Sequence, residues 1–193
     1  MRLLGECALV RAGYTYRGSL KHGHTGDTQI IQFADISRAN PFRTDTLARA
    51  DLNKMNKRYL LCDGDIVLRS RGIDNYAMLV TTPPERMICI APLLYLRVVD
   101  RTKLLPEYLH WFLNLSQVQS IFSEYALFDK CYTRYICARD VANLLMPLPA
   151  IEHQRDIVEY YKQEAESYVK LEEINKARLL RVEKWLLHEL QNM

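Results

Sequence analysis

Three short segments concentrate the side chain types that hold nucleic acid. Gly13-Tyr14-Thr15-Tyr16-Arg17 offers aromatic, hydroxyl and guanidinium groups on a loop that its glycine suggests is flexible. Arg69-Ser70-Arg71-Gly72 places two arginines at the end of an apolar run. Lys130-Cys131-Tyr132-Thr133-Arg134 mixes cations with hydrogen-bonding groups. Arginine reads guanine through two parallel hydrogen bonds, and lysine and threonine commonly hold phosphates. The candidate DNA-binding residues are therefore Tyr14, Thr15, Tyr16, Arg17, Arg69, Ser70, Arg71, Lys130, Tyr132, Thr133 and Arg134. Each cluster alone fits a solvated surface; three in one basic body strengthen one another.

Catalytic patterns are missing. The chain has no G-x-x-x-x-G-K-[ST] loop for nucleotide phosphates, no G-x-G-x-x-G turn and no G-x-S-x-G elbow. Two histidines and a carboxylate at His22, His24 and Asp27 could bind a metal, and a small metal-dependent nuclease is the enzyme reading they allow. The glycine-rich setting fits an ordinary exposed loop equally, and no metal is assigned. Cys131 and Cys137 lack a histidine nearby in sequence, so no nucleophile pair is visible. Five cysteines with no C-x-x-C spacing read as small buried hydrophobes rather than a disulfide or zinc framework.

Charge is distributed unevenly. Residues 1–150 carry 19 Lys/Arg and 14 Asp/Glu, while residues 151–193 carry 7 and 9. A mildly basic body with a slightly acidic tail suits nucleic-acid contact through the body. No apolar run reaches membrane-spanning length, and the start lacks a signal-peptide pattern, which points to the cytoplasm.

The elements that must position these groups divide at Met146-Pro147-Leu148-Pro149, where proline cannot continue a helix. We read residues 1–149 as one mixed domain and 150–193 as one long helix, an α+β chain with a C-terminal coiled-coil segment. Short strands are expected at 30–33, 65–68, 76–80, 87–90 and 94–98. A helical hairpin follows from Pro106, with Ser116 as the N-cap of its second half. From Ala150 onward there is no Gly or Pro, which predicts a helix about 60 Å long at 1.5 Å per residue. Val158, Tyr161, Ala165, Tyr168, Glu172, Asn175, Leu179, Val182 and Leu186 step by three and four, the spacing of a coiled-coil seam. Glu172 and Asn175 interrupt it, and buried polar seam residues can set register and partner number.

The order of segments resembles the specificity subunits of type I restriction–modification systems. Leu4-Gly5-Glu6-Cys7 and the Gly13 loop are similar to that family's opening L-G-E/D strand and G-x-T/S loop. Gln32-Phe33-Ala34-Asp35-Ile36 resembles its segment ending in D-I. Gly64-Asp65-Ile66 with Ser70-Arg71-Gly72 resembles its G-D-I strand and S-x-G turn. Pro106-Glu107-Tyr108-Leu109 to Asn114 resembles its P-x-Y-L helix ending in L-N. Leu148-Pro149-Ala150-Ile151-Glu152-His153-Gln154 resembles the start of its spacer helix, with Ala150 in place of a second proline. The family's G-T-like turn before the last strand is here Leu127-Phe128-Asp129-Lys130.

The resemblance implies a non-catalytic reader of double-stranded DNA that directs other subunits. A methyltransferase subunit would bring S-adenosylmethionine, and a motor-nuclease subunit would bring ATP and magnesium; this chain itself would hold no cofactor. Family members usually carry two recognition domains and two antiparallel spacer helices, so one of each implies pairing with a second copy of the chain. Other readings are the target-reading part of a type IIB-like enzyme, the small nuclease above, and an interaction module with no DNA role.

Overall fold

The structure, a computed structural model, describes residues 1–18, 20, 25–38, 42–52, 54–128, 134–165, 167, 170, 176, 178 and 181. Two compact units partition the chain, Met1–Gln154 and Arg155–Met193.

The apolar runs of the first unit build two sheets. The larger is antiparallel, in the order β2 (Ala8–Ala12), β8 (Leu93–Val98), β5 (Ile66–Arg69), β6 (Ala77–Leu79). The smaller orders β4 (Ala48–Ala50), β3 (Thr28–Ile31) and β7 (Met87–Cys89), with β3 and β7 parallel. Successive strand residues face opposite sides. Val67 therefore meets its register partners Met78 and Tyr95 in a core shared with Ile31, Met87 and Cys89 of the smaller sheet. Ile66 and Leu68 turn the other way and are also fully buried.

Short pieces join the two ends of this unit. β1 (Arg2–Leu3) pairs with β11 (Leu145–Met146), and α1 (Leu4–Cys7) lies against α4 (Ala138–Ala142). The expected opening strand at Leu4–Cys7 is thus a single helical turn. Its C-cap Ala8 is already extended, and the strand runs from there. A second ribbon joins β9 (Leu127–Phe128) to β10 (Arg134–Tyr135).

The helical hairpin forms as α2 (Pro106–Leu113) and α3 (Ser116–Tyr125), with proline in the first turn of α2 where its missing N–H costs nothing. Ser116 is not the N-cap. Leu115 occupies that position without a side-chain cap bond, and the Ser116 hydroxyl meets Gln117 instead. The strand expected at 30–33 runs instead over Thr28–Ile31, because Phe33–Asp35 closes a 3-10 turn in which Asp35 accepts the Gln32 N–H at 2.7 Å, and the one expected at 76–80 covers Ala77–Leu79.

Every described position from residue 151 onward is helical. Among the described residues, no helix is long and apolar enough to cross a membrane.

Candidate nucleic-acid interface

The first two segments singled out by composition meet on one turn, Ile90–Leu93, at the end of the larger sheet, and the described end of the third pairs with the second. The first arrives from β2. Tyr14 donates its N–H to Cys89 O at 2.8 Å and accepts the Ala91 N–H at 3.1 Å. Gly13 is required there, since a Cβ would lie 2.7 Å from Cys89 O. Gly13 and Tyr14 are thus held in place, at the start of the loop that the glycine suggests is flexible. Tyr14 also meets Tyr59 edge to face at 5.2 Å between ring centroids. Tyr16 is partly exposed, and Thr15 and Arg17 are exposed.

The second segment leaves β5. The buried Ser70 hydroxyl donates to Pro92 O on the same turn, so this serine anchors the loop rather than facing outward. The Arg69 guanidinium lies over the Phe33 ring at 4.0 Å, a cation–π stack. Its Nε is buried and has no acceptor. Arg71 is exposed. Gly72 adopts φ +86°, a left-handed turn position that glycine fills without strain.

The third segment returns alongside. Gly72 N–H donates to Arg134 O at 2.9 Å, Ile136 N–H to Ser70 O at 2.9 Å, and Arg71 bridges Tyr135. The Arg134 guanidinium reaches Ser123 O on α3. Lys130, Tyr132 and Thr133 lie outside the described residues. One end of the sheet thus gathers Tyr14, Arg69, Arg71 and Arg134.

Two further groups belong to this neighbourhood or extend it. Arg38 stacks on Tyr76 at 5.0 Å and pairs with Asp74 at 3.2 Å, bracing the loop between β5 and β6. Lys54, Lys57 and Arg58 precede Tyr59, and Arg58 lies 4.8 Å over the Tyr59 ring. The density of three cations in five residues beside a tyrosine was a readable signal for the second group. Nothing local marks Arg38, whose partners are 36 and 38 residues away.

The residues that carry the family resemblance prove to be braces. Asp65, buried to 1% exposure, accepts from Arg97 Nη2 at 2.6 Å and from the Cys62 N–H at 2.7 Å. That pairing raises the Arg97 pKa through its hydrogen bond to the carboxylate. Tyr108 donates its hydroxyl to Pro147 O at 3.0 Å. Gln154 is fully buried and fully used. Its Oε1 accepts the Leu105 N–H at 2.9 Å, and its Nε2 donates to Lys103 O at 2.7 Å and Pro149 O at 2.9 Å. The motif residues hold loops, and of the cations between them Arg71 is exposed while Arg69 and Arg134 are half-buried.

Of the alternative metal-site residues, the structure describes Asp27. Asp27 accepts from the Thr28 hydroxyl at 2.7 Å and pairs with Arg86 at 3.2 Å, and the Thr28 bond is the largest cause holding its carboxyl below the usual range. His22 and His24 lie outside the described residues. Among the described residues no His/Cys/Asp/Glu group has a metal-holding arrangement. Cys89 is buried, which pushes its thiol up to about 12, while Cys62 is exposed, against the expectation of burial. Cys137 begins α4, where its N–H meets Asp140 at 2.7 Å. Of the seam positions, Val158 is buried and Tyr161 and Ala165 are exposed; Tyr168, Glu172, Asn175, Leu179, Val182 and Leu186 lie outside the described residues.

A mixed two-sheet domain with a helical hairpin, followed by a C-terminal helix, is the fold of type I restriction–modification specificity subunits. The HsdS subunit of Thermoanaerobacter tengcongensis superposes with a TM-score of 0.63 at 20% identity, over 88% of this chain and 38% of that one. A chain from a structure describing complex assembly and conformational transition of the type I R-M system gives 0.62 at 21%, over 87% and 38%. The type I S subunit of M. genitalium gives 0.57 at 15%, over 91% and 42%. The chain spans about two fifths of the length of these solved chains. No family model and no curated protein matches its sequence.

Proposed function

We propose that this chain is a DNA-reading specificity component of a type I restriction–modification system. The observation that carries the reading is the cluster of Tyr14, Arg69, Arg71 and Arg134 at one end of the larger sheet, where Tyr14 and Ser70 bond the Ile90–Leu93 turn and Gly72 bonds Arg134, in a fold similar to that of HsdS subunits. In this reading residues 1–149 form the recognition domain and 150–193 the spacer helix. The chain contributes no catalytic group. A methyltransferase subunit supplies S-adenosylmethionine chemistry, and a motor-nuclease subunit supplies ATP- and magnesium-dependent cleavage, in the cytoplasm. The seam on the C-terminal helix pairs with a second copy of the chain, placing two readers on one duplex.

Binding of the full chain to a random pool of duplexes tests this. One motif should be enriched, and log K should fall with log salt at about 0.9 per phosphate neutralised. Enrichment of no motif overturns the reading. So does methyl transfer from S-adenosylmethionine by the chain alone.

A further inference from the structure

The loop between β5 and β6 lifts one apolar side chain out of a cationic surface. Ile73 is 85% exposed, more than any other large hydrophobic among the described residues. A single exposed isoleucine is ordinary on a protein surface, and what sets this one apart is its bracing. This one is not on a loose loop. Ser70 is tied to Pro92 on one side, and Gly72 to Arg134 at 2.9 Å. On the other side Asp74 is paired with Arg38 at 3.2 Å, and Asn75 Nδ2 donates to Arg69 O at 2.9 Å. Asn75 is held again by Gln119, whose Oε1 accepts its N–H at 3.2 Å and whose Nε2 donates to its carbonyl at 3.1 Å. Every neighbour of Ile73 within two residues on either side is thus part of a bonded or paired backbone or side chain.

A braced loop of this kind has already lost the conformational freedom that binding would otherwise remove. It holds Ile73 ready for an apolar contact between groups suited to phosphate. Among the groups that base pairs display in the major groove, the thymine C5 methyl is the apolar one. We propose that Ile73 is a specificity-determining residue that reads a thymine methyl in the major groove. The inference rests on the DNA-reading function above.

The test uses the full chain and the duplex it enriches. Each thymidine of the motif is replaced in turn by deoxyuridine, which removes only the methyl. At one position the wild type should bind about three- to fivefold more weakly, the effect of losing one buried methyl. Ile73→Ala should bind the thymidine duplex that much more weakly and show no further loss with deoxyuridine, and Ile73→Val should retain most of the discrimination. Ile73 is exposed, so these variants keep the fold. The inference is overturned if no deoxyuridine position weakens the wild type, or if Ile73→Ala responds as the wild type does. Failure to enrich any motif would overturn the reading function itself, a result distinct from enrichment with methyl-blind binding.

Discussion

Asn114 holds Ala77 by both of its backbone groups: its Oδ1 accepts the Ala77 N–H at 3.1 Å and its Nδ2 donates to the Ala77 carbonyl at 2.8 Å. Gln119 does the same to Asn75, two residues earlier on that edge. Two side-chain amides from the helical hairpin thus stand in for a further strand beside β6, satisfying groups that a sheet edge leaves open. Asn114→Ala should strand two buried backbone groups at about 1–3 kcal/mol each, for a total of about 2–6 kcal/mol in urea unfolding. Ser116→Ala, two residues on and uninvolved in capping, should change stability by about 0.5 kcal/mol or less. Equal losses in the two variants would show that the amide does not brace the edge.

The Asp65–Arg97 pair makes a second stability prediction. Asp65 is buried, whereas Arg97 keeps a third of its side chain exposed. Removing the cation leaves a buried carboxylate, usually a loss of about 3–5 kcal/mol, reduced here by solvent near Arg97 to about 2–4 kcal/mol. Arg97→Ala should therefore cost more than the double change Asp65→Leu with Arg97→Met, which removes both charges. Chemical denaturation of the two variants decides it.

His110 supplies the pH dependence. Burial is the main cause that lowers its pKa from 6.5, and the Arg38 charge adds to it. A histidine depressed in the fold is neutral in both states above its unfolded value. Below about 6.5 the unfolded chain binds the proton first, so stability is lost as pH falls toward the folded pKa. Melting temperature should decline below about pH 6.5 more steeply for the wild type than for His110→Gln. Identical pH profiles would remove His110 as the cause.

Arg69 and Arg71 should separate when mutated, although they are two residues apart. Arg69 is stacked on Phe33, so Arg69→Ala should lower stability as well as DNA affinity, by about 0.5–2 kcal/mol for the stack. Arg71→Ala should weaken DNA binding by about 1–3 kcal/mol if it reaches a base edge. A wild-type titration curve for Arg71→Ala would make it surface charge.

The strands most readable from sequence were those built from apolar runs, β5 to β8, because burial on both faces leaves few polar interruptions, Arg69 and Arg97 being the exceptions. β2 escaped notice because Leu9 and Arg11 at its edge are exposed and blur the pattern. β1, β9, β10 and β11 are two residues each, too short for any period. The positions of Asp65, Asn114 and Gln154 could be recognised as motif positions. Their work could not, since it depends on partners 32, 37 and 51 residues away. The cationic clusters were visible as composition. The joining of the first two at Ile90–Leu93 and of the third to the second was not, because it runs through backbone groups of residues distant in sequence.

If two copies of this chain pair through the helix, as proposed, the pairing has a consequence for the DNA. Identical chains that close on themselves most often do so about a two-fold axis. Antiparallel helices then set the two recognition domains at opposite ends, and identical readers see the same bases on opposite strands. The target should be an inverted repeat with an unread gap. A helix of about 40 residues spans roughly 60 Å, enough to hold half-sites about one duplex turn apart, roughly 34–36 Å. Light scattering should show a dimer of the full chain at micromolar concentration. Removing one heptad from the seam should shorten the gap or abolish binding, while the half-site letters stay the same. The methylated motif in a host carrying this chain and its methyltransferase reads the outcome directly. Two unrelated half-sites would mean that the seam pairs this chain with a different reader.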